Sequence, residues 1–197
     1  MIVCRSDAEI DRMQAANQLV ADVLASLEAA VAPGVTTEDL DRLAERLVRE
    51  GGAIPAFKGY RGYPATLCAS INEEVVHGIP SKTRVLKSGD IVSLDIGVKV
   101  GGFYGDSAVT VPVGTVPEAT SRLLQVTRQS LERAIEPMVT MGSWEVRVLD
   151  DGWTAVTQDG SLAAHFEHTV AVTENGPEVL TSLTGQSTPL APASRGR

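Results

Sequence analysis

Apolar residues recur at helical spacing through the first fifty positions of the chain. Ile10, Met13, Val20, Leu24, Leu27 and Val31 fall on one stripe behind a Ser6–Glu9 capping box, and Pro33-Gly34 stops the run. Thr36 begins a second helix with Leu40, Leu43, Leu47 and Val48 on one face, closed by Gly51-Gly52. The pattern then changes. Residues 55–80 are irregular and rich in Gly, Pro and aromatics, with Phe57, Tyr60 and Tyr63 close together; they read either as a pocket-lining loop or as loosely ordered surface. The alternation in IVSLDIGVKVGGFYGDSAVTV predicts a hairpin. Pro117 opens a third helix through Leu123, Leu124, Leu131 and Ile135, with no stop residue before Glu136-Pro137. Residues 152–158 and 165–173 alternate like strands joined by a DGS turn. The order of elements hints at an imperfect internal duplication within one α+β domain over residues 5–180. The small, polar, Pro-containing stretch 181–197 predicts a disordered tail.

Composition narrows the class without naming a function. A chain of 197 residues suits one domain with a sizeable core. Its net charge of −8 argues against a basic nucleic-acid footprint and against an anionic membrane surface. Cys4 and Cys68 form neither a disulfide framework nor a CxxC pair, which points to a reducing cytoplasm. The N-terminus turns charged within five residues, unlike a secretory leader, and no run of about 18 apolar residues occurs.

Candidate chemistry begins in the hairpin. A two-residue reversal at Val100-Gly101 would set Asp95 directly opposite Asp106, with Cβ atoms about 5 Å apart. Opposed like charges are unfavourable unless a cation lies between them. The alternative is that one aspartate is a turn residue and the other points to solvent. Glu167 favours the cation: it sits between Phe166 and an apolar run, and a partly buried acid needs a partner. Glu136 is likewise an acid in an apolar setting, followed by a proline.

Taken together, NEEVVHGIP, GDIVSLDIG, FYGDSAVTV, IEPMV and FEHTVAVTENG resemble the type I methionine aminopeptidases, cytoplasmic enzymes of pita-bread fold. The resemblance runs from about Ser6 to Leu180. It implies an antiparallel sheet with helices on one face and a two-metal hydrolase site. Asp95 matches a ligand of one metal, Asp106 and Glu167 match carboxylates that bridge both, and Glu136 matches a ligand of the other and a proton acceptor. His77 matches a catalytic histidine that hydrogen-bonds the substrate amide. Tyr60, Tyr63, Cys68 and Trp153 match the lining of the methionine pocket; for Cys68 a pocket wall is the reading preferred over a reactive thiol. The implied cofactors are two divalent ions (Mn, Fe(II), Co or Zn), and the implied partners are N-terminal peptides of nascent proteins, met by a monomer that binds neither nucleic acid nor membrane.

One part of the pattern is missing. The resembled family carries a further segment with a metal-binding histidine between the third helix and IEPMV, and here no histidine lies between Asp106 and Glu136. An internal deletion between Ile135 and Glu136 accounts for this and shortens the second half. It leaves a metalloaminopeptidase of impaired activity, with only one metal retained if nothing replaces the ligand, or a non-catalytic relative that binds peptides or a partner. His165 shares a strand face with Glu167, but it reads as a partly solvated strand histidine rather than as a replacement. His168 is expected on the opposite face in a structural role.

Overall fold

The computed structural model describes residues 4–182 and 188–189. Helices α1 (Asp7–Ala30) and α2 (Thr37–Glu50) come first, then strands β1 (Ile54–Pro55), β2 (Leu67–Ile71), β3 (Glu74–Val76), β4 (Ile91–Val100) and β5 (Phe103–Pro112). Helix α3 (Glu118–Leu131) leads into short strands β6 (Met138–Thr140), β7 (Val146–Val148), β8 (Ala155–Thr157) and β9 (Ala163–His165). Strands β10 (Val170–Thr173), β11 (Gly176–Val179) and β12 (Thr188–Pro189) end the described chain. The capping box expected at Ser6–Glu9 forms, and Thr36 and Asp39 form a second at the start of α2. The Ser6 N–H donates to Glu9 Oε2 at 2.8 Å, and the Asp39 N–H donates to Thr36 Oγ1 at 3.1 Å.

Strand β4 organises the molecule. It pairs with β1 and β2 along one side and with β5 along its whole length on the other, all antiparallel. Residues 91–98 are buried without a break, because both faces of the strand are covered. Val92, Leu94, Ile96 and Val98 join Val20, Leu24 and Leu27 of α1 and Leu40 and Val48 of α2 in the main core. Each fully buried Leu or Val here contributes about 1.5–3 kcal/mol of transfer free energy. Ser93, Asp95 and Gly97 project to the opposite face. Helix α1 approaches β5 closely at Gly105, where a Cβ would lie 2.8 Å from the backbone of Ala16 and Asn17.

The register of the hairpin differs from the expected one. The reversal falls on Gly101-Gly102, with Val100 paired to Phe103, so Asp95 faces Ala108 and Asp106 faces Gly97. Both turn residues have positive φ, 57° and 91°. A tight hairpin turn of this kind needs residues without a Cβ penalty, which β-branched Val100 does not meet. The shift is two residues in the pairing, so Asp95 and Asp106 keep a common face as diagonal neighbours.

The second half also departs from expectation. Helix α3 ends at Leu131, and Pro117 caps it from outside the helical turn. Ile135 is not helical; it is 55% exposed. Pro137 disfavours helical backbone at Glu136, and the chain there pairs with the last segment instead. The Phe166 N–H donates to the Pro137 carbonyl at 3.2 Å, and that of His168 to the Ile135 carbonyl at 3.0 Å. Strands β8 and β9 do not form a hairpin: β8 pairs with β3 and β7, β9 pairs with β6, and β10 pairs with β11. Asp159 ties the intervening loop to residue 143 rather than to a tight turn, accepting the Ser143 N–H at 2.6 Å and the Ser161 N–H at 3.0 Å. Of the stretch expected as a disordered tail, residues 188–189 pair with β11; residues 183–187 and 190–197 lie outside the described ones. No described helix is long and apolar enough to cross a membrane.

Candidate functional site

The sheet face opposite the helical core carries one transverse row of side chains. Cys68 on β2 faces Asp95 on β4, Asp95 faces Ala108 on β5, and Ala108 bridges to Glu167. The backbone bonds between 135–138 and 165–168 continue the row to Glu136. Five chain segments thus deliver three carboxylates at one level, and Asp106 stands diagonally two residues along β5. Ala108 is the small member of the row. Its methyl leaves room between Asp95 and Glu167, a role the sequence pattern did not reveal.

Thr169 fixes the far end of the row. Its hydroxyl donates to the Asp106 carbonyl at 2.7 Å and accepts the Asp106 N–H at 3.1 Å. Ser107 donates its hydroxyl to the Glu167 carbonyl at 2.5 Å. These bonds hold the Glu167 segment against β5 without a regular strand.

A cleft of about 630 Å³ opens over the row. All nine residues singled out from the sequence line it: Tyr60, Tyr63, Cys68, His77, Asp95, Asp106, Glu136, Trp153 and Glu167. Phe57, Arg61 and Gly152 complete the lining. The Gly- and aromatic-rich stretch 55–80 is therefore a pocket wall. Its aromatic corner is ordered: the Tyr63 and Trp153 rings meet edge-on at 5.1 Å, and His77 and Trp153 at 6.0 Å. Tyr63 is buried, its hydroxyl lying 3.1 Å from the Leu67 carbonyl and 3.2 Å from that of Gly78. Tyr60 is exposed at the rim. Asp151 orients Trp153 by accepting its N–H at 2.8 Å.

His77 has a left-handed backbone, φ 61°, rare for a residue with a side chain and common where function fixes a conformation. Its neighbour Gly78 presses on β2 so closely that a Cβ would lie 2.5 Å from the Ala69 carbonyl. The paired Arg84 and Glu74 side chains brace the same turn, Glu74 also accepting the Ile71 N–H at 2.7 Å. Arg61, also with positive φ (46°), holds its guanidinium 5.5 Å from the Tyr60 ring.

The electrostatics of the row are unfavourable without a cation. Burial, then the charges of Asp106, Glu167 and Glu136, pushes the Asp95 carboxyl well above the usual range. Asp106 rises to about 7 through burial and Glu136, and Glu167 to about 8 through burial, Asp106 and Glu136. One buried oxygen each of Asp95 and Asp106 has no hydrogen-bond partner among the described residues. Ligand atoms of Asp95, Asp106 and Glu167 lie within 4.8 Å of one another, and so do those of Glu136, His165 and Glu167. Glu167 belongs to both groups. The donor set and its orphaned atoms fit divalent cations, which would neutralise the repulsion and fill the open valences. Burial also pushes the Cys68 thiol up, which suits a wall rather than a nucleophile.

His165 departs from its expected place. It is 1% exposed, and its Nε2 lies 3.5 Å from Glu136 and 3.8 Å from Glu167. Burial, with the nearby His77, lowers its pKa to about 4, so the imidazole is neutral at physiological pH. His168 points away from the row, as expected, with Nδ1 2.8 Å from the Thr181 hydroxyl.

A cleft of this kind, with clustered carboxylates beside an aromatic slot, defines a candidate metal-dependent hydrolase site on an α+β sheet. Known proteins lead to the same class. Metallopeptidase family M24 matches residues 11–171. A methionine aminopeptidase of Clostridium acetobutylicum is 39% identical, with 92% of this chain and 99% of that protein aligned. Crystal structures of methionine aminopeptidases superpose closely. That from Thermotoga maritima gives a TM-score of 0.89 at 37% identity, covering 92% of this chain and 99% of that one. That from Rickettsia prowazekii gives 0.90 at 30%, covering 92% and 100%. The chain belongs to metallopeptidase family M24, in its methionine aminopeptidase branch, and has the pita-bread fold. The alignment with the Clostridium protein runs over 247 positions, more than the 197 residues of this chain, so part of that relative faces no residue here.

Proposed function

We propose that the chain removes the N-terminal methionine from newly made proteins in the cytoplasm by two-metal hydrolysis. The observation that carries this reading is the convergence of Asp95, Asp106, Glu136 and Glu167 on one cleft whose other wall is aromatic. Asp95, Asp106 and Glu167 would hold one cation, and Glu136 and Glu167, with Asp106 as a second bridging carboxylate, would serve the other. Oxygen-rich ligation suits Mn²⁺, Fe²⁺ or Co²⁺, with Zn²⁺ close behind. The chemistry that divalent cations supply when bound there is a water acidified toward neutrality and a polarised peptide carbonyl.

The remaining work falls to the chain itself. Glu136 is the half-exposed carboxylate of the set, with a side chain 48% accessible, so it is the member best placed to accept a proton at the cleft surface. His77, fixed by its strained turn, faces the cleft as a hydrogen-bond partner for the substrate amide. Tyr63, Cys68 and Trp153 form the slot for the methionine side chain, with Tyr60 at the rim; a thioether packs well against aromatic edges. Fit alone separates side chains by about 1–3 kcal/mol per methylene, enough to prefer an unbranched residue.

A Met-Ala-Ser peptide incubated with the chain and Mn²⁺ or Co²⁺ should release free methionine, and the N-acetylated peptide should not. Release from neither, with metal shown to be bound, would sink the reading and leave a peptide-binding relative.

A further inference from the structure

We propose that His165 supplies the nitrogen ligand missing between Asp106 and Glu136, completing the second cation position together with Glu136 and Glu167. This role rests on the cleft being a divalent-cation site. Donor atoms of the three residues lie within 4.8 Å of one another. His165 is 1% exposed, and neither ring nitrogen has a hydrogen-bond partner among the described residues. Leaving a buried polar group unsatisfied is unfavourable, so a buried imidazole aimed at two carboxylates calls for an occupant between them.

The distances favour a cation over a hydrogen bond. A charge-assisted N–H···O bond spans about 2.7–2.9 Å, whereas Nε2 stands 3.5 Å from Glu136 Oε1 and 3.8 Å from Glu167 Oε2. Two donors each about 2.1 Å from one tetrahedral cation lie roughly 3.4 Å apart. The pair of separations is therefore closer to shared ligation than to direct contact.

The position is held by the backbone rather than by the ring. The His165 N–H donates to Thr110 Oγ1 at 2.8 Å, and that hydroxyl donates to the His165 carbonyl at 2.7 Å. Met138 of β6 pairs with His165 across the ladder, two residues after Glu136, which locks the two donors in register. The chain has three histidines. His168 is engaged with Thr181 on the other face, and His77 joins neither donor group. His165 alone is in reach.

Titration of the full chain with Co²⁺, followed by calorimetry and visible absorption, tests the assignment alongside His165→Gln and His165→Ala. The unsubstituted chain should take two equivalents. Both variants should retain one and bind the other more than about 100-fold more weakly, beyond the effect of losing an outer-shell partner. A second measurement needs no variant: on adding Zn²⁺, the ring ¹⁵N resonances of His165 should move by a ligation shift while those of His168 stay. Two unchanged equivalents in the variants, or His165 resonances unmoved by bound Zn²⁺, would overturn the role and leave the metallopeptidase reading standing. Failure of the unsubstituted chain to bind Co²⁺ or Zn²⁺ at all would overturn both.

Discussion

Asp95 and Asp106 project from a pair of ten-residue strands, whereas Glu136 and His165 project from the neighbourhood of strands three residues long. Behind the first pair lie α1, α2 and a continuous core. Behind the second lies a smaller cluster of Ile91, Leu123, Leu131, Ala164 and Phe166, and Met138, Met141, Trp144, Val146 and Val148 are exposed nearby. Glu167 joins the two through one isolated bridge to Ala108. One half of the site is held by the fold before any cation arrives. The other is held by a few backbone bonds and would gain more of its order from a bound cation.

Removing the shared member gives the largest effect. Glu167→Gln strips a charged ligand from both donor groups, so methionine release should fall by about 10³-fold or more. Calorimetry with Mn²⁺ should show both equivalents weakened, whereas Asp95→Asn should weaken mainly one. Equal losses in the two variants would mean that the halves do not act separately.

Packing separates the halves next. Gly105→Ala drives a methyl into the backbone of Ala16 and Asn17, which cannot give way as a side chain tip can. The expected cost is about 3 kcal/mol in urea unfolding, the upper end for an overpacked site. A cost under about 1 kcal/mol would show that α1 can slide, and that the first half is less rigid than its packing implies.

The same division explains what the sequence disclosed. Helix α1, helix α2 and the hairpin are legible because amphipathic period, capping boxes and alternation agree there. The aspartates share a face in any register shifted by an even number of residues, so moving the turn to Gly101-Gly102 keeps them together. Glu136 and Glu167 were recognisable as acids in apolar surroundings. Around them, local pattern gave way to pairing between distant segments: Pro137 and the ladder to Phe166 and His168 ended α3 early, and β8 found β3 rather than β9. His165 was misplaced for the same reason. Its burial comes from β6 and from β5, whose Thr110 holds its backbone, and neither strand is adjacent in sequence.

Acidity offers a third way to divide the site. Asp106 and Glu167 ionise near 3.8 and 4.5 when free, and near about 7 and 8 in the folded chain. The folded state therefore holds more protons between those values, and stability falls as pH rises through them. His165 acts in the opposite sense: with a folded pKa of about 4 against 6.5, its contribution is lost as pH falls from 6.5 toward 4. Between pH 6.5 and 8 only the carboxylates count. In EDTA, the unfolding free energy should drop there by about 2 kcal/mol, and saturating Mn²⁺ should flatten the curve. His165→Gln should leave that drop and reduce the loss on the acid side, where His168, its pKa also lowered by burial, keeps a share. A metal-free curve that is flat above pH 6.5 would mean that the carboxylates are less crowded than their geometry requires.

The smallest effect is expected on the exposed strand β7. Val148 is 60% exposed and Val92 is fully buried, although both are strand valines. Valine to threonine conserves shape and strand preference and changes one methyl to a hydroxyl. At Val92 that hydroxyl enters a core with no partner to offer, at a cost of about 1–3 kcal/mol. At Val148 it meets water, and the change should stay within about 0.5 kcal/mol. The second number is the informative one. A Val148→Thr penalty approaching that of Val92→Thr in chemical denaturation would mean that this face is covered in solution. The contrast between a packed first half and an open second half would then fail at the place where it is sharpest.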